Sequence, residues 1–127
     1  MATPERRAIL IVQDWAITGA GLSAEFEALG FLPAGPFRKP GPALEWMAVH
    51  EPLLAVLALK FQDGPSVMVA RELRRHGLPF VFLSGSASLR PLIEGDFPGV
   101  PWIEAPAPAR RLLASLSPRQ AMRRRAA

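Results

Sequence analysis

Four short stretches carry the polar groups that could do chemistry in this chain. They are Gln13-Asp14, Ala58-Leu59-Lys60, Ser84-Gly85-Ser86 and Glu104-Ala105-Pro106. Asp14 offers one carboxylate, Lys60 one ammonium and Ser84 one hydroxyl. A hard divalent cation takes several oxygen ligands, so a lone carboxylate makes a poor metal site. A serine nucleophile needs a base within hydrogen-bond reach. The only histidines, His50 and His76, fall at expected helix ends, on the wrong side of the sheet for Ser84. The chain has no cysteine, which excludes a disulfide framework and thiolate metal ligands. Ser84-Gly85-Ser86-Ala87-Ser88 precedes an expected helix start, where backbone N–H groups can hold an anion. The same composition is that of an ordinary strand-to-helix turn. No phosphate-loop motif and no nucleophile–base pair is present. The expectation is no catalytic residue, no metal and no cofactor.

Each of the four stretches follows an apolar run, and the runs must be what positions them. Five runs stand out, at 8–12, 31–34, 53–59, 80–83 and 100–103. The third and fourth are apolar almost throughout, as a strand covered on both faces must be. Between them the spacing turns helical. Leu22, Phe26 and Leu29 share one face ahead of Gly30, and Val69 and Leu73 do so in 65–76 ahead of Gly77. Ala109, Leu112, Leu113 and Leu116 repeat at i, i+3, i+4 and i+7 in the last segment. Five strand–helix units predict an α/β sandwich with a parallel sheet. Pro33 and Pro101 lie in the second and fifth runs. Proline cannot donate to a central ladder, so these strands belong at the edges. That matches the flavodoxin-like order 2-1-3-4-5, a (βα)5 three-layer sandwich. Pro40 and Pro42 crowd the second helix and Pro91 lies inside the fourth, so both are expected to be short. In such a sheet ligands bind outside the carboxyl ends of the strands, where the four stretches fall.

With its strand ends in place, the chain resembles a response-regulator receiver domain, over residues 7–116. The likeness rests on Ile9-Leu10-Ile11-Val12-Gln13-Asp14, on residues 70–85 with Gly77, Pro79 and Ser84-Gly85, and on Val100-Pro101-Trp102-Ile103-Glu104-Ala105-Pro106. The middle stretch is the most specific. The resemblance implies five working positions: two adjacent acids for a divalent cation, a phosphorylated aspartate ending strand three, a hydroxyl ending strand four, and a lysine before proline after strand five. In this sequence they read Gln13 and Asp14, Ala58, Ser84, and Ala105 before Pro106. A methyl group cannot accept a phosphoryl group. The resemblance therefore implies a pseudo-receiver, with Gln13, Asp14, Ala58, Lys60, Ser84 and Ala105 as the remnant of a phosphorylation pocket. Two readings of Lys60 stand. Its ammonium folds over the pocket to pair with Asp14, or it points into solvent while Asp14 caps the first helix. Trp15 is expected to shield the pocket mouth and Trp46 to pack on the second helix.

Charge bears on partners. The 127 residues carry a net charge of +4. Six of the 15 basic residues, Arg110, Arg111, Arg119, Arg123, Arg124 and Arg125, lie after residue 106 with no acid among them. That leaves nine bases against 11 acids over residues 1–106, a net −2. Residues 1–117 are expected to form a receiver-like domain and 118–127 a basic tail. A solvated tail is favoured over a nucleic-acid contact. The polar first seven residues do not read as a signal peptide, and no apolar run is long enough to span a bilayer, so a cytoplasmic protein is expected. The function implied is phosphorylation-independent protein–protein interaction in bacterial two-component signalling, without enzyme activity. Its partner would be a histidine kinase, another regulator or a second copy in a homodimer. The interaction face would hold Trp102, Arg110 and Arg111. Two alternatives are a small flavodoxin-like ligand-binding protein or enzyme, and nucleic-acid contact through the basic tail.

Overall fold

Alternation along the strands decides the layers, because successive side chains leave a strand on opposite faces. In β1 (Thr3–Gln13), Leu10 and Val12 enter one hydrophobic cluster, and Ile9 and Ile11 enter another. The same division runs through β3 (His50–Leu59), where Leu57 and Leu59 face the first cluster and Leu54 and Val56 the second. In β4 (Phe80–Ser84), Phe80 and Phe82 part from Val81 and Leu83 in the same way. The strands are thus apolar on both faces, and helices must cover both. The computed structural model describes the backbone of residues 3–13, 16–60 and 63–116, and the side chains of these apart from 3–7 and 16–20.

α2 (Pro40–Val49), α3 (Pro65–Arg75) and α4 (Arg90–Asp96) cover one face through Ala43, Val69, Leu73 and Ile93. α1 (Ala16–Ala28) and α5 (Ala109–Ser115) cover the other through Leu22, Phe26, Ala109 and Leu112. With β2 (Leu32–Phe37) and β5 (Trp102–Glu104), the sheet runs β2-β1-β3-β4-β5, parallel throughout. This is the expected flavodoxin-like three-layer sandwich. Both proline-bearing runs are at the edges. Pro33 pairs with Ile9 on the outermost strand. Pro101 sits just ahead of β5, where its carbonyl accepts the Phe82 N–H at 3.0 Å.

Three details differ from the sequence reading, the strand starts, the length of α2 and the place of Leu29. β1 starts at Thr3 and β3 at His50 because these ends pair with each other, Thr3 opposite His50, before a register shift between Glu5 and Ile9. Such pairing leaves no apolar pattern to read. α2 is not short: its ten residues tolerate Pro40 and Pro42, since first-turn N–H groups have no helical acceptor to lose. α4 has the expected brevity, seven residues after a 3₁₀ turn at Ala87–Leu89. Leu29 does not share the buried face of Leu22 and Phe26. The helix ends at Ala28, Gly30 takes φ +90°, and Leu29 is left 40% exposed.

Candidate functional site

The carboxyl ends of β1, β3, β4 and β5 bring most of the expected positions into one place. The register sets Gln13 opposite Ala58, Ala58 opposite Leu83, Leu59 opposite Ser84, and Ser84 opposite Glu104. Gln13, Ala58 and Ser84 are buried. Ala105 follows β5 and donates its N–H to the Ser84 carbonyl at 2.7 Å, so Ala105 and Ser84 are joined through the backbone. The Ala105–Pro106 peptide is cis. Lys60 is exposed, one residue past the end of β3. Asp14 and Trp15 lie outside the described residues, as does the basic tail from Ser117 onward.

The hydroxyl of Ser84 is engaged locally. Its Oγ accepts the Ser86 N–H at 3.0 Å and donates to the Ser86 carbonyl at 3.3 Å. Those bonds make Ser84 the pivot of the turn leading to α4, a structural use of the hydroxyl. The histidines are where the sequence places them. His50 caps the carboxyl end of α2, with Nδ1 at 3.2 Å from the Trp46 carbonyl. His76 caps α3, with Nε2 at 3.0 Å from Glu72 Oε1. Both line a cavity of about 610 Å³ with Leu44, Met47, Glu51 and Glu72. That cavity adjoins the amino ends of β3 and β4, away from Ser84. Trp46 stacks on His50 with ring centroids 4.7 Å apart. Among the described residues no group of three or more histidine or carboxylate side chains could hold a metal ion.

Sequence reasoning missed one residue of the site. Ser66, in the first turn of α3, is fully buried. Its Oγ donates toward the Ala58 carbonyl at 3.2 Å and the Val12 carbonyl at 3.5 Å. It therefore ties α3 to two adjacent strands directly beneath position 58. The signal was present: Ser66 falls at i−3, i−4 and i−7 from Val69, Ala70 and Leu73, so it is the polar member of a buried stripe.

The expected interaction face is partly taken up by packing. Trp102 is half-buried on β5. Its ring lies 6.4 Å from that of Phe82, which in turn is 5.4 Å from Phe97. The indole is thus the outer member of an aromatic cluster. Arg110 and Arg111 are exposed on α5. Leu92 on α4 is 49% exposed. The amino end of α5 is held by α1, since Glu25 Oε1 accepts the Ala109 N–H at 3.0 Å.

No protein-family model matches the sequence, and no curated protein matches it. Solved structures do match. The signal receiver domain of an HD domain-containing protein from Pseudomonas fluorescens Pf-5 is 22% identical at a TM-score of 0.69, over 95% of this chain and 98% of that one. The PhyR response regulator receiver domain of Erythrobacter litoralis is 24% identical at 0.66, over 91% and 88%. A CheY-like receiver domain from Methanospirillum hungatei JF-1 is 19% identical at 0.71, over 95% and 98%. At such identities the likeness is one of architecture, and it agrees with the strand order and the layers: the chain has the fold of response-regulator receiver domains.

Proposed function

We propose that the chain is a receiver-type signalling domain that works without phosphorylation, by binding a protein partner. One observation carries the reading. The position that ends β3 at the carboxyl edge of the sheet is a buried alanine, Ala58, and Ala105 stands where the resemblance calls for a lysine. With no oxygen at 58 there is no acyl phosphate to form, and with no cation at 105 there is no counter-charge for a phosphoryl group. Ser66 and Ser84 bond to backbone carbonyls and N–H groups around the same spot. The surface proposed for the partner is made by α4, β5 and α5, with half-buried Trp102 on it and exposed Arg110 and Arg111 at its rim. A second copy of the chain or another signalling protein is the partner class. Incubation with acetyl phosphate and Mg²⁺, followed by intact-mass measurement, is the test. The expected outcome is an unchanged mass, and stable addition of one phosphoryl group refutes the proposal.

A further inference from the structure

α3 ends in a cluster of arginines that the proposed function leaves unused. Arg71, Arg74 and Arg75 line a groove of about 410 Å³ together with Asp96 and Phe97 at the end of α4. Cations near a helix carboxyl end are favoured by the helix dipole, which accounts for Arg74 and Arg75 in the last turn but not for how they are held. Arg74 is fixed from two directions. Its Nη1 donates to the Asp96 carbonyl at 2.6 Å, and its guanidinium lies 5.7 Å from the centre of the Phe97 ring. Phe97 is itself buried against Phe80 and Phe82, so the guanidinium rests on a rigid floor. Among the described residues Arg75 pairs within its own helix, with Glu72 at 3.3 Å, and its side chain is 75% exposed. Arg71 makes no ion pair among the described residues and is exposed. One turn further back, Met68 is 51% exposed.

We propose that this groove between α3 and the end of α4 docks an acidic peptide segment of a partner protein. Charge complementarity selects the occupant. Three arginines line one groove, and guanidinium is the side chain best matched to carboxylates, which it can bind through paired N–H donors. The exposed Met68 offers an apolar neighbour on the same helix, which suits a segment interleaving acidic and apolar residues. A nucleic acid fits less well. Asp96 lies in the groove wall, and residues 1–106 carry a net −2, so the broad positive field that a polyphosphate requires is missing here. The groove shares the end of α4 with the partner face proposed above but is otherwise built on α3 and not on β5 or α5.

The test uses the full chain and a fluorescein-labelled peptide alternating Asp or Glu with Leu. Binding is followed by anisotropy and mapped by ¹H–¹⁵N chemical shifts. The expected result is binding with shifts concentrated at Arg71, Arg74, Arg75, Asp96 and Phe97. The double variant Arg71→Glu with Arg75→Glu should weaken it about tenfold or more. Both side chains are exposed, and thermal melts check that the variant folds; Arg71→Gln alone is the milder second variant, with a smaller loss expected. The basic tail is an internal rival for the same peptide. A full-length variant with Arg119, Arg123, Arg124 and Arg125 all changed to Ser should keep the groove-dependent binding. The inference is overturned if the tail variant abolishes binding while the groove variant retains it. It is equally overturned if the peptide does not bind, or if a single-stranded oligothymidylate binds the groove more tightly than the peptide does.

Discussion

Replacing Ala58 by Asp puts a carboxylate back where β3 ends, and the structure says what that costs. Ala58 is fully buried, with Gln13 and Leu83 as ladder neighbours, and its carbonyl is already held by Ser66. An ionised carboxylate there is desolvated without a designed partner, a situation worth about 3–5 kcal/mol of destabilisation. Burial raises the folded-state pKa of the new acid. Between its unfolded value of about 3.9 and that raised value, the folded state holds a proton that the unfolded state has lost. Stability relative to the parent therefore falls as pH rises through this window, by about 1.4 kcal/mol for each pH unit that separates the two values. It is regained, apart from the cost of the neutral carboxyl group, as pH drops toward the unfolded value. Thermal melts of Ala58→Asp against the parent at about pH 8 and about pH 5 measure this directly. A loss of about 3 kcal/mol corresponds to a fall in Tm of roughly 10 °C for a domain of this size, and the gap should narrow at the lower pH. Lys60 is the one cation close in sequence, and Ala58→Asp with Lys60→Met separates any rescue by its ammonium. Phosphorylation should not return in Ala58→Asp alone. The combination of Gln13→Glu, Ala58→Asp and Ala105→Lys should do better than any single change, because groups that act as one site are non-additive. A single variant as stable as the parent at pH 8, and phosphorylated as fast as the triple variant, would refute the reasoning.

Ser66→Ala removes the hydroxyl that ties α3 to the carbonyls of Val12 and Ala58, and should cost about 1–2 kcal/mol in denaturant unfolding; an unchanged midpoint would show that these bonds contribute nothing net. Glu25→Ala leaves the Ala109 N–H without its acceptor. The expected loss is about 1 kcal/mol, as for a helix cap, with faster amide exchange confined to the start of α5. Trp102→Ala should lower stability by about 2 kcal/mol or more through lost packing against Phe82, as well as weakening partner binding. Arg110→Glu with Arg111→Glu perturbs the same face without touching the core. Sedimentation of this charge variant separates interface from packing: association equal to the parent's would place the partner face elsewhere.

Much of the architecture was legible in the residues themselves. Runs apolar on both faces at 53–59 and 80–83 read as strands covered from two sides, and prolines at 33 and 101 favour the edges of the sheet for their runs. Those two facts led to the three layers and to β2 and β5 as edges. The candidate site was legible as a set of sequence positions, because strand ends mark the ligand-facing edge of such a sheet. What could not be read were the pairings made across distance. The early start of β1 depends on Thr3 meeting His50, and neither segment has a pattern that announces it. Leu29 fits an apolar helical stripe, yet the chain turns before that stripe can use it. Ser66 has a local signal in its spacing, but its partners lie 54 and 8 residues away. That Trp102 packs beside Phe82 was set by the fold. Arg71, Arg74 and Arg75 share a groove with Phe97 and Asp96 only because the end of α4 lies beside α3. Local chemistry and period determined which elements form and in what order, since these act within a few residues. Which side chains are occupied by packing and which are left to bind was decided only by tertiary structure, because burial and hydrogen-bond satisfaction belong to groups that meet when the sheet closes.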